Sequence, residues 1–405
     1  MKILVLNCGS SSIKYKVFNM DTHEVLAQGG VEKIGLTGSF LKLTLPGGQK
    51  VMLEGEILEH RAGIEYILGV LISKKYGCIK SLDEIGAVGH RVVHGGEKFN
   101  ESVLINEEVI DMIEECIDLA PLHNPPNLKG IYAILEFMPG TPQVAVFDTA
   151  FHQTLPDYAY FYPLPYSLYE KYNIRRYGFH GTSHRYVSKR VCEFLNVPYE
   201  SQRIITAHIG NGVSTTAIKN GKSIDTSMGM NPIEGLMMGT RTGDIDPGVI
   251  TYVMEKEHLG IQDVSTLLNK FSGVLGISGI SSDMREIEDA VDNGNERAKL
   301  ALSMYNYRIK KYIGSYAAVL GGLDILVFTG GVGENMSLMR KAVCENMEYM
   351  GIELDDALNE STRSKEAVIS KPTSKVKVVV IPTDEELTIA QDANMILKQQ
   401  VIGDN

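Results

Sequence analysis

Short apolar runs rich in Val and Ile recur along the chain at Ile3–Leu6, Ala87–Val88, Val144–Phe147, Ile204–Ala207, Ile325–Phe328 and Val376–Ile381, most of them running into polar turn residues. Runs this short with no polar alternation read as strands buried on both faces. Between them, apolar positions fall at helical spacing over Glu107–Leu119, Gly181–Leu195 and Met284–Leu320. Strands separated by helices predict an α/β chain with mixed sheets. Ligands in such sheets sit beyond the carboxyl ends of strands, so the residues following each run are where chemistry is expected. A last helical pattern, Asp384–Lys398, carries Leu387, Ala390, Ala393 and Ile396 on one face and is expected to pack back on the first domain.

The pattern also repeats. Lys2–Leu6 leads through Asn7-Cys8-Gly9-Ser10-Ser11-Ser12 into a second strand-like run, Lys14–Asn19. Half a chain later, Arg203–Ala207 leads through His208-Ile209-Gly210-Asn211-Gly212-Val213-Ser214 into Thr215–Lys219. Two copies of strand, polar hairpin and strand point to two related domains, although strand–turn–strand units are common in unrelated folds. The aromatic and Pro-rich stretch from Leu155 to Pro165 reads as a fixed crossover, which places a boundary near residue 150. The expected division is 1–150, completed by 383–405, and 151–382.

With 44% hydrophobic and 22% charged residues in 405, the composition is that of a folded globular chain long enough for two or three domains. The net charge of -11 gives no general attraction to nucleic acid or to an anionic membrane, so an anionic substrate has to be met by local cations. Cys8, Cys78, Cys116, Cys192 and Cys344 are widely spaced with no Cys-x-x-Cys pair, which fits a reducing cytoplasm. No apolar stretch is long enough for a membrane helix, and the N-terminal run is too short for a signal peptide.

Three groups of residues carry candidate chemistry. The hydroxyl-rich loop Asn7–Ser12 and the glycine loops Gly210–Gly212 and Gly330-Gly331-Val332-Gly333-Glu334-Asn335 all follow buried strands, where backbone N–H groups can cradle phosphate oxygens. The sequence contains neither G-x-x-x-x-G-K-[ST] nor G-x-G-x-x-G. Cationic groups bracketed by glycine come next: His90-Arg91-Val92-Val93-His94-Gly95-Gly96, Arg175-Arg176-Tyr177-Gly178-Phe179-His180-Gly181-Thr182-Ser183-His184 and Gly239-Thr240-Arg241. A guanidinium offers a planar fork to phosphate or carboxylate, whereas a salt bridge or solvent is the plainer use of each arginine. His180 and His184 have no third ligand nearby that would make a zinc site. Asp148 and Asp384-Glu385-Glu386 follow strands and suit Mg²⁺, or else serve as caps at a helix start. Val93, Leu122, Phe179 and Pro232 stand beside these motifs as candidate walls of a small apolar pocket, with core packing as the alternative.

Asn7-x-Gly9-Ser10-Ser11-Ser12-x-Lys14, His90–Gly96, Phe147–His152, Arg176–His184, Gly239-Thr240-Arg241 and Phe328–Asn335 occur together and in order. In this the chain resembles the acetokinase family, within the acetate and sugar kinase/heat-shock chaperone/actin superfamily. The resemblance implies a duplicated actin-like, ribonuclease H-like fold with nucleotide bound between the domains. It implies Mg²⁺- or Mn²⁺-dependent transfer of the ATP γ-phosphoryl group to acetate, giving acetyl phosphate and ADP, by a cytoplasmic homodimer. Carried over position by position, Arg91 and Arg241 meet the carboxylate and the moving phosphoryl, and His180 touches that phosphoryl. Val93, Leu122, Phe179 and Pro232 line the acid pocket, and Asn7, Asp148 and Glu385 serve the metal. Asn7, Ser10, Ser12, Lys14, His208, Gly210, Asn211, Gly212, Asp283, Arg285, Gly331, Gly333 and Asn335 hold the nucleotide.

A carboxylate is already anionic at neutral pH, so its attack on phosphorus needs no general base, and the obstacle is charge. Arginines, a histidine and a metal site answer that obstacle. Rival readings are a longer acid such as propionate or butyrate, pyrophosphate as donor, and an actin- or chaperone-like switch ATPase, in which the Arg–Gly motifs have no role. The tyrosine-rich run Met284–Leu320 is a candidate subunit interface, with core packing as the plainer role.

Overall fold

The computed structural model describes residues 1–45 and 48–403, so the last two residues of the expected segment 383–405 lie outside it. The chain forms two compact units, Met1–Phe151 joined by the chain from Asp384 onward, and His152–Thr383.

The first unit holds eight strands among the described residues: β1 (Lys2–Cys8), β2 (Ser12–Asn19), β3 (Glu24–Glu32), β4 (Phe40–Thr44), β5 (Lys50–Glu54), β6 (Ile85–Val92), β7 (Val103–Leu104) and β8 (Gln143–Phe147). Their order across the sheet is β5-β4-β3-β2-β1-β6-β8-β7. The second unit holds β9 (Arg203–Ile209), β10 (Val213–Lys219), β11 (Lys222–Thr226), β12 (Ile325–Thr329), β13 (Ala367–Val368) and β14 (Lys377–Val380), ordered β11-β10-β9-β12-β14-β13.

Set beside one another, these orders repeat. In each unit three successive strands form an antiparallel meander, the first of them pairs in parallel with a fourth strand, and the fourth pairs in parallel with the last. A short strand then closes the far edge antiparallel. The internal echo in the sequence is therefore a duplicated topology, to which the first unit adds β4 and β5. These are mixed sheets flanked by helices, the duplicated actin-like architecture.

The apolar runs are central strands because both their faces are covered: Val144, Val146, Ile325, Val327 and Val379 are at most 2% exposed. On the first sheet, helix Asn124–Phe137 adds Ala133 and Ile134 to one core cluster, while helix Glu385–Gly403 supplies Ile389, Ala390 and Ala393 to another with Ile3, Val5 and Ala87. Strand β5 alternates half-buried and exposed positions, β4 alternates buried positions with half-buried or exposed ones, and β3 is buried only near its end, so a search for continuous apolar runs passes over all three.

Two helical expectations need correcting. Met284–Leu320 is two helices, Met284–Asp292 and Glu296–Leu320, broken where Gly294 takes φ +81° and Asn295 caps the second helix through the Ala298 N–H (2.9 Å). Glu107–Leu119 stops at Glu115, and the chain continues in tight turns closed onto Glu114 and Cys116. No described helix is long and apolar enough to cross a membrane.

Candidate active site

In the first unit, strand register assembles the charged residues. Arg91 is the penultimate residue of β6, which runs parallel to β1 on one side and β8 on the other. Asp148 follows β8 and donates its N–H to the Val92 carbonyl (3.0 Å), which brings its carboxylate alongside Arg91. The guanidinium forks onto that carboxylate, Nε to Oδ1 at 3.0 Å and Nη2 to Oδ2 at 2.5 Å. Its Nη1 turns to the Asn7 Oδ1 at 3.5 Å, and Glu385 stands 3.9 Å from Nε.

Asp148 is 1% exposed, so its charge is held by Arg91 rather than by water. Burial lifts the Glu385 carboxyl to about 7 against the opposing pull of Arg91, with repulsion from Asp148 and Glu386 adding to the rise. Arg91 is itself partly buried, yet the surrounding carboxylates raise its pKa above the ordinary value.

The three acidic residues at the helix start divide their work. Asp384 takes the Leu387 N–H as a cap (3.1 Å) and, with Glu386, pairs with Lys16 at 3.3 Å. Glu385 alone turns toward Arg91. Asn7, Asp148 and Glu385 thus surround one guanidinium, and among the described residues no group of three His, Cys, Asp or Glu stands ready-made around an ion. Two carboxylates and an amide oxygen are still a donor set suited to a hard divalent cation that keeps waters and phosphate oxygens as its other ligands.

Ser10 and Ser11 form the exposed tip of the β1–β2 hairpin, closed by Gly9 N–H to the Ser12 carbonyl (2.8 Å). Lys14 lies directly across from Asn7 in the ladder. Val93 is buried, whereas Leu122 is 58% exposed.

The second unit gathers imidazoles and hydroxyls. His180 sits at φ +56° immediately before helix Gly181–Leu195, and His184 follows one turn later. The His180 ring stacks on His208 of β9 with centroids 4.2 Å apart. Ser214 Oγ lies 2.9 Å from His180 Nδ1 and 2.7 Å from His184 Nε2. Ser183 Oγ bridges His208 Nδ1 and Thr383 Oγ1, each at 2.8 Å.

Gly212 closes this group: a Cβ there would sit 3.3 Å from His180 Nε2 and 3.5 Å from Arg241 Nη2. Without a side chain at Gly212, the position its Cβ would take is flanked by an imidazole and a guanidinium, a polarity that suits an oxyanion. Arg241 also donates to the Pro232 carbonyl (2.8 Å), and Phe179 is held by His152 through its carbonyl (3.0 Å).

A separate cavity of about 670 Å³ in this unit is lined by Gly210, Asn211, Asp283, Arg285, Gly331 and Asn335, together with Ser282, Met284, Val332, Met336 and Arg363. Its loops are tied down locally. Gly330, at φ +77° against the Ile209 backbone where a side chain would not fit, donates to Glu334 Oε1 (3.0 Å), which also accepts the Thr383 N–H (3.1 Å). Arg285 forks onto Asp283 and draws that carboxyl down to about 2.

The model of the acetokinase family matches residues 2–391. The chain belongs to the acetokinase family. It is 70% identical to an acetate kinase of Azobacteroides pseudotrichonymphae over 98% of its own length and all of that protein. The crystal structure of Porphyromonas gingivalis acetate kinase superposes with a TM-score of 0.95 at 64% identity, covering 98% of this chain and 99% of that one. A propionate kinase from Francisella tularensis follows at 0.91 and 42% identity, over 98% and 99%.

Within this acetokinase frame, six of the nucleotide residues expected from sequence share one cavity, while Gly333 is buried behind it in helix Gly330–Asn335 and His208 belongs to the histidine group. Asn7, Ser10, Ser12 and Lys14 belong to the first unit, not to this cavity. Arg176 has a structural part: it donates to the carbonyls of Thr226, Ser227 and Met228 and pairs with Glu234 at 2.5 Å, bracing the loop that carries Pro232.

Several positioning residues escape sequence reasoning. Asn127 accepts the Val93 N–H (3.0 Å) and donates to the Cys8 carbonyl (2.8 Å), tying the β1–β2 hairpin to the end of β6, and Asn124 holds both backbone groups of His94. The Asn124-Pro125-Pro126-Asn127 run, prolines at a helix start between two amides, was the available signal. Arg340 is fully buried on the Gly333, Asn359 and Thr362 carbonyls, with its pKa lowered to about 10 by burial, and no local motif marks it.

Proposed function

We propose that this chain catalyses the reversible, divalent-metal-dependent transfer of the ATP γ-phosphoryl group to acetate, giving acetyl phosphate and ADP. The observation that carries the reading is the pairing of two arginine sites with near-full-length identity to acetate kinases: Arg91 set among Asn7, Asp148 and Glu385, and Arg241 set beside His180 across the Gly212 position.

In this reading Arg91 and Arg241 neutralise the acid carboxylate and the phosphoryl oxygens, and His180 donates to the phosphoryl. Val93, Phe179, Pro232 and Leu122 hold the methyl group. The loops around Gly331 and Asn211 hold the nucleotide. The metal, Mg²⁺ by the oxygen donor set, is held by Asp148 and Glu385 with Asn7; when bound it supplies positive charge to the phosphate oxygens. No residue has to remove a proton from acetate, because acetate carries none at neutral pH. Transfer is direct and in line, positioning and charge neutralisation supplying the rate. The working form is a cytoplasmic homodimer.

Propionate and butyrate are the alternative acceptors, since an added methylene in an apolar pocket discriminates by only about 1–3 kcal/mol. The test is hydroxylamine trapping of acyl phosphate with ATP and Mg²⁺ against formate, acetate, propionate and butyrate, with an acid-free control for ADP release. Trapped product that is largest with acetate and absent without acid supports the reading. ADP release with no trapped product would make the protein a switch-type ATPase.

A further inference from the structure

His180 has two ring nitrogens, and only a protonated one can donate to a phosphoryl oxygen. What decides which nitrogen bears the proton lies behind the ring. His180 Nδ1 meets Ser214 Oγ at 2.9 Å, the same hydroxyl meets His184 Nε2 at 2.7 Å, and His184 Nδ1 meets Thr206 Oγ1 at 2.7 Å. Thr206, His184 and Ser214 are all 0% exposed, so water does not break the chain. Burial holds His184 far below the ordinary histidine pKa, with the neighbouring His152 and His208 rings acting in the same direction, and it stays neutral.

A hydroxyl has one proton, so Ser214 cannot donate to both imidazoles. With one proton on each ring, only two arrangements satisfy every link and also give the Ser214 proton an acceptor. In one, Thr206 donates to His184 Nδ1, His184 Nε2–H donates to Ser214, and Ser214 donates to His180 Nδ1, leaving the His180 proton on Nε2. In the other every donor is reversed, and His180 Nε2 carries a lone pair. The mixed arrangements either set two lone pairs against the one Ser214 proton, or have Ser214 accept from both rings and leave its own proton without an acceptor in a buried site, each costing a hydrogen bond. His180 Nε2 is the nitrogen that borders the Gly212 position beside Arg241. An anion there is attracted by an N–H and repelled by a lone pair.

We propose that Ser214, His184 and Thr206 form a proton-ordered chain that fixes His180 as its Nε2–H tautomer and so aims an N–H at the phosphoryl group. They are positioning residues for the transfer. The two histidines therefore share one tautomer, and the buried threonine, two side chains removed from substrate, takes part in setting it. The inference rests on the acyl kinase reading above for the identity of the anion; the hydrogen-bond logic is independent of it.

The experiment is two-bond ¹H–¹⁵N correlation of ¹⁵N-histidine-labelled full-length protein, bound to Mg²⁺ and the β,γ-imido analogue of ATP, alongside steady-state kinetics. Both His180 and His184 are expected as Nε2–H with bare Nδ1. Ser214→Ala is expected to lower kcat about 10- to 100-fold with the KM for ATP within about twofold, and to leave His180 a mixture of tautomers. Thr206→Val is expected to cause a smaller loss, regained in Thr206→Ser. Either ring found as Nδ1–H in the complex, or a Ser214→Ala protein with wild-type kcat and one His180 tautomer, would overturn the proposal alone. No resonance shift with the nucleotide analogue would remove the kinase reading and this proposal with it.

Discussion

The two units use one strand order to present two chemistries. In the first, the strand ends carry charge: Arg91 on β6, Asp148 after β8 and Glu385 at the helix that follows, a guanidinium among carboxylates. In the second, the matching strands end in the glycine loop after β12 and in Thr383 after β14, and the working groups beside them are imidazoles and hydroxyls. The shared topology sets where a functional residue can stand, and the residue placed there sets what it does. One unit sets a guanidinium among carboxylates; the other sets a guanidinium and an imidazole on either side of the Gly212 position, with hydroxyls behind the imidazole.

The contrast can be broken from the charged side first. Arg91→Ala is expected to lower kcat by about 10³-fold or more, as removal of a transition-state arginine does. Because it strips Asp148 of its guanidinium, it should also lower thermal stability, by about 3–5 kcal/mol for an uncompensated buried charge. Arg241→Ala should match it in kcat; near wild-type turnover in either variant would remove that residue from the site.

Acid stability tests a feature the units share. His90, paired with Gln143 in the first, and His152, paired with Ser223 and the Phe179 carbonyl in the second, are held by burial to pKa values of about 4. Unfolded histidine binds its proton near 6.5, so between about 6.5 and 4 the unfolded chain holds more protons and stability falls as pH falls. Each contributes about 3 kcal/mol across that window. Melting temperatures that stay level from pH 6.5 to 4.5 would show these rings are not held neutral.

Gly212→Ala sharpens the neutral side. The added methyl enters the space between His180 Nε2 and Arg241 Nη2, and kcat is expected to fall about 10- to 100-fold with an unchanged melt, since small displacements of reacting groups cost about that much. An unaltered kcat would mean that position holds no substrate atom. The smallest effect is expected at Leu122, whose side chain is already largely exposed: Leu122→Ala should move the acetate-to-propionate ratio of kcat/KM by under about tenfold.

What was legible in the sequence follows from the same contrast. Buried strands such as Val144–Phe147 and Ile325–Phe328 announce themselves as continuous apolar runs, and the residue after a run is at a strand end wherever the strand sits, so Asp148 and Gly330 could be read locally. The repeated strand–hairpin–strand pattern foretold the duplicated sheet. Strands β3 to β5 were not read, because strands with exposed and half-buried positions carry a weaker signal than a solid buried run. The break at Gly294-Asn295 was there to be seen, but the apolar positions on both sides of it kept a helical spacing. Asn127 and Arg340 act through backbone groups distant in sequence, and Ser214 acquires its part only when two histidines from another element close on it; no local pattern records such meetings.

The most direct test of the central claim, that the phosphoryl group passes straight from nucleotide to acid between neutralising cations, is the stereochemistry at a γ-phosphorus made chiral with oxygen isotopes. A single in-line displacement predicts inversion in the acetyl phosphate formed. Retention would mean two displacements and a phosphorylated enzyme between them, and would contradict the account.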